Sequence, residues 1–104
     1  MKWDQLKLFA EEMFQSEMDL MSTKGTEYIV SDDRLDNFKR SAYDAGVRPE
    51  QICWIFTAKH IDSIRSYVRK GESLSNESIY SRINDARNYL LLLAALIKES
   101  EEGK

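Results

Sequence analysis

The stretch RINDARNYLLLLAALIK, residues 82–98, limits the fold of this chain more than any other segment. Residues 89–97 within it carry no charge, and this run is about half of the ~20 apolar residues that a membrane-spanning helix needs. The stretch therefore predicts a helix buried inside a globular protein, with no membrane partner. Because the run is apolar on every side, we expect one side to contact the core and another to contact a second subunit, which predicts a homo-oligomer.

The composition is that of a folded domain with one core. The chain has 104 residues, of which 42% are hydrophobic and 32% charged, so we treat residues 1–104 as one domain. A net charge of −3 and a pI near 5.2 argue against non-specific nucleic-acid binding, which typically uses a basic face. The single cysteine excludes an internal disulfide. The amino-terminal residues contain acids and no continuous apolar core, so no signal peptide is predicted and we expect a cytoplasmic protein.

The first predicted helix covers residues 3–21. Its apolar side chains recur every three or four residues, and Gly25 is its predicted stop. Three of the four methionines in the chain lie here, which indicates an adaptable packing surface. Residues 26–30 are β-branched and aromatic but have no second strand to pair with, so they predict an extended connection.

The second predicted helix is short, covers residues 33–45 and ends at Gly46. Several carboxylates surround its start, and they either cap the helix or bind Mg²⁺. The capping interpretation is favoured, because Ser-Asp-Asp is common at a helix amino terminus. The cap candidates are Ser31 and Asp32, the further acids are Asp33 and Asp36, and the residues predicted to be buried are Leu35, Phe38 and Ala42.

The third and fourth predicted helices are long. The third covers Pro49–Lys70, because proline suits the first helical position, and it stops at Gly71. The fourth starts after a polar connection, with Ser75 or Asn76 as its cap, and runs to residue 99, leaving residues 100–104 frayed. Three long helices and one shorter helix with short connections predict an all-α, compact four-helix bundle.

Polar residues interrupt the apolar lines of the last two helices. On the third helix, Lys59 and Asp62 share a polar stripe. On the fourth, Asp85 lies on one line with Arg82 and Tyr89 and leads into the apolar run. The polar residues of each helix form either a solvated surface with ion pairs inside the helix or a ligand site. The sequence leaves both alternatives open.

Three residues of the third helix are predicted to have structural roles: His60, Cys53 and Trp54. His60 falls on an apolar line, which predicts a partly buried core histidine, and a lone histidine is poor evidence for zinc. Cys53 has apolar neighbours, so its thiol is not expected to be an activated nucleophile. Trp54 lies inside the apolar run 52–56 and is predicted to pack in the core.

Four short segments, spread over roughly residues 20–98, carry a resemblance to a known group of proteins. They are Lys24-x-x-x-Tyr28, Asp33-x-Leu35-x-Asn37-Phe38, KHIDSI at residues 59–64 and RINDARNYL at residues 82–90. With these segments the chain resembles small phage-type helical proteins similar to the nucleotide-modification-associated domain, and more distantly the MazG-type all-α nucleotide pyrophosphohydrolases. The resemblance implies a helical fold, a nucleotide-related role and oligomerisation.

The pyrophosphohydrolases hold Mg²⁺ with two pairs of acids, each pair spaced by three residues on one helix face. By the resemblance, Asp85 matches the final acid of this pattern, whereas Arg82 stands at the position of its partner acid. Glu12 and Glu17 are spaced by five and do not form the other pair. Half of the metal cluster is therefore absent, which favours binding over hydrolysis.

The first hypothesis is a small phage-type helical protein that binds a phosphorylated nucleotide and is non-enzymatic or weakly catalytic, for instance to sequester a host nucleotide signal. Its predicted ligand-binding residues are Lys59, Asp62, Arg82, Asp85, Arg87 and Asn88. A second hypothesis is a Mg²⁺-dependent nucleotide pyrophosphohydrolase whose ligands come from Asp32, Asp33, Asp62 and Asp85, with Asp62 and Asp85 as the predicted metal pair. A third is a helical protein–protein interaction module that uses the first helix or the face of residues 91–96.

Overall fold

The structure, a computed structural model, describes residues 1–27, 33–72 and 76–103, and residues 24–27 are included as helical backbone. Within these ranges the chain forms four α-helices and no strand, which confirms the all-α prediction for them. The helices are α1 (Trp3–Glu27), α2 (Asp36–Ala45), α3 (Pro49–Lys70) and α4 (Ile79–Glu102). Although α4 is the most apolar helix, none of the helices in these ranges is both long and apolar enough to span a bilayer.

The chain divides into two compact units, Met1–Arg34 and Leu35–Lys104. The first unit contains α1, which at about 1.5 Å per residue is roughly 37 Å long. The second unit contains the other three helices, and α3 packs against both α2 and α4. Packing of helices is thus established for α2, α3 and α4.

Three helix ends agree with the sequence-based prediction. Pro49 opens α3, and the glycines that follow α2 and α3 both adopt the left-handed conformation. Gly46 has φ 71° and Gly71 has φ 73°, values that residues with a side chain rarely adopt. The Gly71 N–H also donates to the Tyr67 carbonyl at 2.7 Å, which satisfies one of the last free carbonyls of α3.

The predicted end of α1 and the predicted start of α2 were wrong. Instead of stopping at Gly25, α1 continues to Glu27, so Thr26 and Glu27 are helical and not extended. A glycine inside a helix costs only about 1 kcal/mol, which does not by itself end a long helix. Instead of starting at residue 33, α2 starts at Asp36, because Leu35 leaves the helical path to enter the core. The remainder of the predicted connection and the cap candidates Ser31 and Asp32 lie outside the described residues.

At both ends, α4 differs from its predicted bounds. The Ser78 hydroxyl accepts a hydrogen bond from the Ser81 N–H at 3.1 Å, so Ser78 caps the helix in place of Asn76. The other candidate, Ser75, lies outside the described residues. The helix then continues to Glu102, three residues beyond the predicted end, with a Lys98–Glu102 ion pair of 3.8 Å one turn apart.

The core of the second unit lies where the three helices meet. As predicted, Leu35, Phe38 and Ala42 are buried on the α2 side. Leu35 and Phe38 form one core cluster there with Cys53 from α3 and Leu96 from α4. Thr57, although polar, is fully buried, and its hydroxyl donates to the Cys53 carbonyl at 2.9 Å, which removes the cost of burying it.

Candidate functional site

Tyr89 of α4 is the centre of an aromatic cluster. Its ring stacks on His60 at 4.9 Å and on Phe56 at 5.9 Å between ring centroids. Phe38 of α2 contacts both Phe56 and Tyr89 edge-on, at 6.4 Å each. We call Phe38, Phe56, His60 and Tyr89 the Tyr89 cluster. Phe56 and His60 are four residues apart on α3, so they lie on one helix face and meet the same partner ring.

A hydrogen bond beside this cluster shows which face of α3 meets α4. The Cys53 thiol donates to the Tyr89 carbonyl at 3.4 Å, so the helix face that carries Cys53 points at α4. The predicted partial burial of His60 is confirmed, and its ring is held against Tyr89. The prediction that Trp54 packs in the core was wrong, since this side chain is 54% exposed. Trp54 follows the buried Cys53 directly and is therefore rotated by about 100° from the core-facing line.

One cation and one anion flank the Tyr89 cluster. The exposed Lys59 ammonium lies 5.9 Å from the centroid of the Phe56 ring. The half-buried Asp85 precedes Tyr89 by one turn of α4, and its charge acts on the phenol of Tyr89. The cluster thus combines partly exposed aromatic surface with a positive group and a negative group.

Burial controls the protonation of two groups in this region. Desolvation raises the pKa of the Tyr89 phenol, and the charges of Asp85 and Cys53 raise it further. Desolvation also raises the pKa of the Cys53 thiol, against the opposing effect of the hydrogen bond with Thr57. Both groups therefore stay neutral at physiological pH, and the Cys53 thiol is not poised for nucleophilic attack.

We expect the stability of the second unit to fall at alkaline pH. The raised pKa values mean that the folded state keeps protons which the unfolded chain releases above the ordinary values of 9.0 for cysteine and 10.0 for tyrosine. Stability is therefore fully present below about pH 9 and is lost progressively above it. Tyr89→Phe should remove part of this loss, as measured by urea unfolding at about pH 8 and about pH 10.5.

The matched control is Tyr43→Phe, because Tyr43 is 88% exposed on α2. This control should lose as much stability between about pH 8 and about pH 10.5 as the unmodified chain does. An alkaline loss that is equal in all three proteins would contradict a raised pKa for Tyr89.

Asp62 does not join the Tyr89 cluster. It follows Cys53 by nine residues, or about 2.5 turns, and so points away from α4. Its side chain is 71% exposed. It accepts a hydrogen bond of 3.0 Å from Arg65 on the same helix, and the two side chains form an ion pair. Asp62 and Asp85 therefore lie on different faces of the second unit, and the geometry gives no support to a metal ion shared between them.

The remaining predicted site residues all belong to the first half of α4. Arg82 is half-buried and precedes Asp85 by three residues on the same helix face. Asn88 is half-buried, while Arg87 is exposed and lies on the far side of the helix from Tyr89. Of the six predicted ligand-binding residues, Lys59 and Asp85 are brought to the Tyr89 cluster, and Arg82 lies one turn away from Asp85.

Metal-ligating side chains do not cluster in the ranges that the structure describes. No group of three or more histidine, cysteine, aspartate or glutamate side chains in them is arranged to hold a metal ion. Asp33 is exposed ahead of α2, and Asp32 lies outside these ranges. The Mg²⁺ site predicted from Asp62 and Asp85 stays a prediction.

The sequence-based prediction missed Phe56 as part of the site. Two signals could have found it: Phe56 is one turn from His60, and it lies three residues before Lys59. Comparisons with protein-family models, with curated proteins and with solved structures find no match to this chain. The resemblance to nucleotide-related helical proteins thus stays a prediction, and the functional proposal depends on the geometry of the Tyr89 cluster.

Proposed function

We propose that this protein binds a phosphorylated nucleotide at the Tyr89 cluster. The observation that carries the proposal is the exposed Lys59 ammonium lying 5.9 Å from the partly exposed Phe56 ring. An aromatic face stacks on any nucleobase, and an ammonium group neutralises phosphate. A group that stacks on the base and a group that neutralises the phosphate are therefore adjacent on one surface.

Each neighbouring residue then has a distinct role. One face of the Phe56 ring packs on Tyr89, so a base stacks on the other face, and the Lys59 side chain moves from that ring to the phosphate. Asp85 accepts hydrogen bonds from a sugar hydroxyl or a base amino group, since an ionised carboxylate is an acceptor only. Its negative charge also repels phosphate, so the phosphate lies on the Lys59 side of the ligand. Arg82, three residues before Asp85, offers a second cation for a longer phosphate chain.

Isothermal titration calorimetry with nucleoside mono-, di- and triphosphates and cyclic dinucleotides tests the proposal. We expect at least one member of the panel to bind with a Kd below about 1 mM, equivalent to roughly −4 kcal/mol. Lys59→Ala should weaken that binding about tenfold by removing a charged contact. Phe56→Leu should weaken it by a similar factor, because it keeps the apolar volume and removes the stacking ring.

Lys70→Ala is the control for Lys59→Ala, because Lys70 is an exposed lysine at the far end of the same helix. It changes the net charge equally and should leave the affinity unchanged. The proposal fails if no nucleotide in the panel binds below about 1 mM. It also fails if the two lysine variants weaken binding to the same extent.

A further inference from the structure

His60 lies beside the two groups that carry the proposed nucleotide site. It directly follows Lys59 on α3, and it lies four residues, or about one helical turn, after Phe56. Residues three and four apart share one helix face, so Lys59 and His60 are both neighbours of the Phe56 side chain. The ammonium and the imidazole therefore extend from the same turn of α3.

Packing holds the face of the His60 ring and leaves its edge. The ring stacks on Tyr89 of α4, with 4.9 Å between the ring centroids and 23° between the ring planes. Both nitrogens of an imidazole lie on the edge of the ring, so stacking does not use their capacity to form hydrogen bonds. A side chain held by packing also loses little conformational freedom when it binds a ligand, so the imidazole is preorganised for a contact.

The nitrogens of His60 have no hydrogen-bond partner in the part of the chain that the structure describes. In contrast, the Thr57 hydroxyl, on the preceding turn of α3, donates to the Cys53 carbonyl at 2.9 Å. Buried polar groups in folded proteins are generally hydrogen-bonded, and small-molecule sites use a few such groups to orient their ligands. Because His60 is half-buried, its unpaired edge can be reached from solvent.

A phosphate oxygen is the ligand atom that suits an N–H donor at this position. The Lys59 ammonium is a point charge on a flexible four-carbon stem, so it attracts a phosphate without fixing where the phosphate lies. The Asp85 carboxylate, on α4 one turn before Tyr89, repels a phosphate toward α3. On α3 the imidazole of His60 is the neighbouring donor, since even the neutral ring carries one N–H. It supplies the fixed position that the lysine lacks.

We propose that His60 binds the phosphate of the nucleotide, donating a ring N–H to a phosphate oxygen whose charge Lys59 neutralises. This proposal rests on the proposed function, because it adds a second phosphate contact at the same site. Tyr89 then acts as a positioning residue: it contacts no part of the nucleotide and holds the imidazole that does. The site consequently divides into a stacking surface on Phe56 and a two-residue phosphate contact on the next turn of α3.

Isothermal titration calorimetry of the full chain tests this proposal, using as probe the member of the nucleotide panel that binds most tightly. His60→Phe keeps a ring that stacks on Tyr89 but lacks an N–H, and it should weaken binding about tenfold. His60→Gln lacks the ring but ends in an N–H donor, and its affinity should stay within about threefold of that of the unmodified chain. A purely structural His60 predicts the reverse order, because only the phenylalanine preserves the stack.

Tyr67→Phe is the matched control, because it also removes one polar group from a half-buried ring of α3, about two turns after His60. It should leave the affinity unchanged. Circular dichroism of each variant establishes that its helices are intact. Should His60→Phe lose helicity, His60→Leu replaces it, with the same expected weakening of about tenfold from the lost N–H.

The contact of His60 with the phosphate can fail while the nucleotide site stands. That is the result if Lys59→Ala weakens binding of the probe and His60→Phe does not. Weakening by His60→Gln that equals or exceeds the weakening by His60→Phe would also overturn the contact, as would equal weakening by His60→Phe and Tyr67→Phe. If no nucleotide in the panel binds below about 1 mM, the proposed function fails and this proposal fails with it.

Discussion

Replacing Phe38 by alanine should lower the free energy of unfolding of the Leu35–Lys104 unit by about 3–5 kcal/mol. Phe38 is buried where all three helices of this unit meet, and its ring contacts Phe56 and Tyr89 edge-on. Truncation removes the apolar area of the ring and both aromatic contacts, and it leaves a cavity that rigid helices fill only partly. A loss of this size is a large fraction of the stability of a small domain.

Urea unfolding followed by circular dichroism measures this loss. Tyr43→Ala is the control, because it removes an aromatic ring of similar size from the same helix at a position that is 88% exposed. We expect the control to change stability by no more than about 0.5 kcal/mol. Losses of equal size in the two variants would mean that Phe38 is not a core residue.

Introducing a charge at Ala42 should lower the free energy of unfolding by nearly as much. Ala42 is 2% exposed on the buried side of α2, so Ala42→Glu places both extra volume and a carboxylate inside the packed unit. An uncompensated buried charge costs about 3–5 kcal/mol. We expect α2 to separate from α3, because moving α2 away is the simplest way to return the carboxylate to water.

Ala45→Glu makes the identical change three residues later, at an exposed position of the same helix. It should cost at most about 1 kcal/mol, the scale of an unfavourable charge at a helix carboxyl terminus. Because protonation removes the charge that keeps this side chain out of the packed unit, Ala42→Glu should regain part of its stability as the pH falls toward about 5, whereas Ala45→Glu should not. Urea unfolding at two pH values measures both effects, and equal costs in the two variants would contradict the burial of Ala42.

Local sequence determined the helices and several of their ends. Pro49 begins α3 because its fixed φ suits a first helical turn, and Gly46 and Gly71 end helices because they adopt positive φ without strain. The burial of Leu35, Phe38 and Ala42 also followed from sequence, since residues three and four apart share one helix face. Each of these features depends on residues within one or two helical turns.

Tertiary structure alone decided which apolar residues became core and which polar residues met. Trp54 and Cys53 are neighbours in one apolar run, yet only Cys53 faces α4, because a helix can turn one line of residues toward a given partner. Asp62 and Asp85 are both plausible ligands by residue type, yet α3 turns Asp62 toward water, where it pairs with Arg65. Helical periodicity defines lines of residues along each helix. Which line packs depends on a partner far away in sequence, so the Tyr89 cluster was visible only in the folded chain.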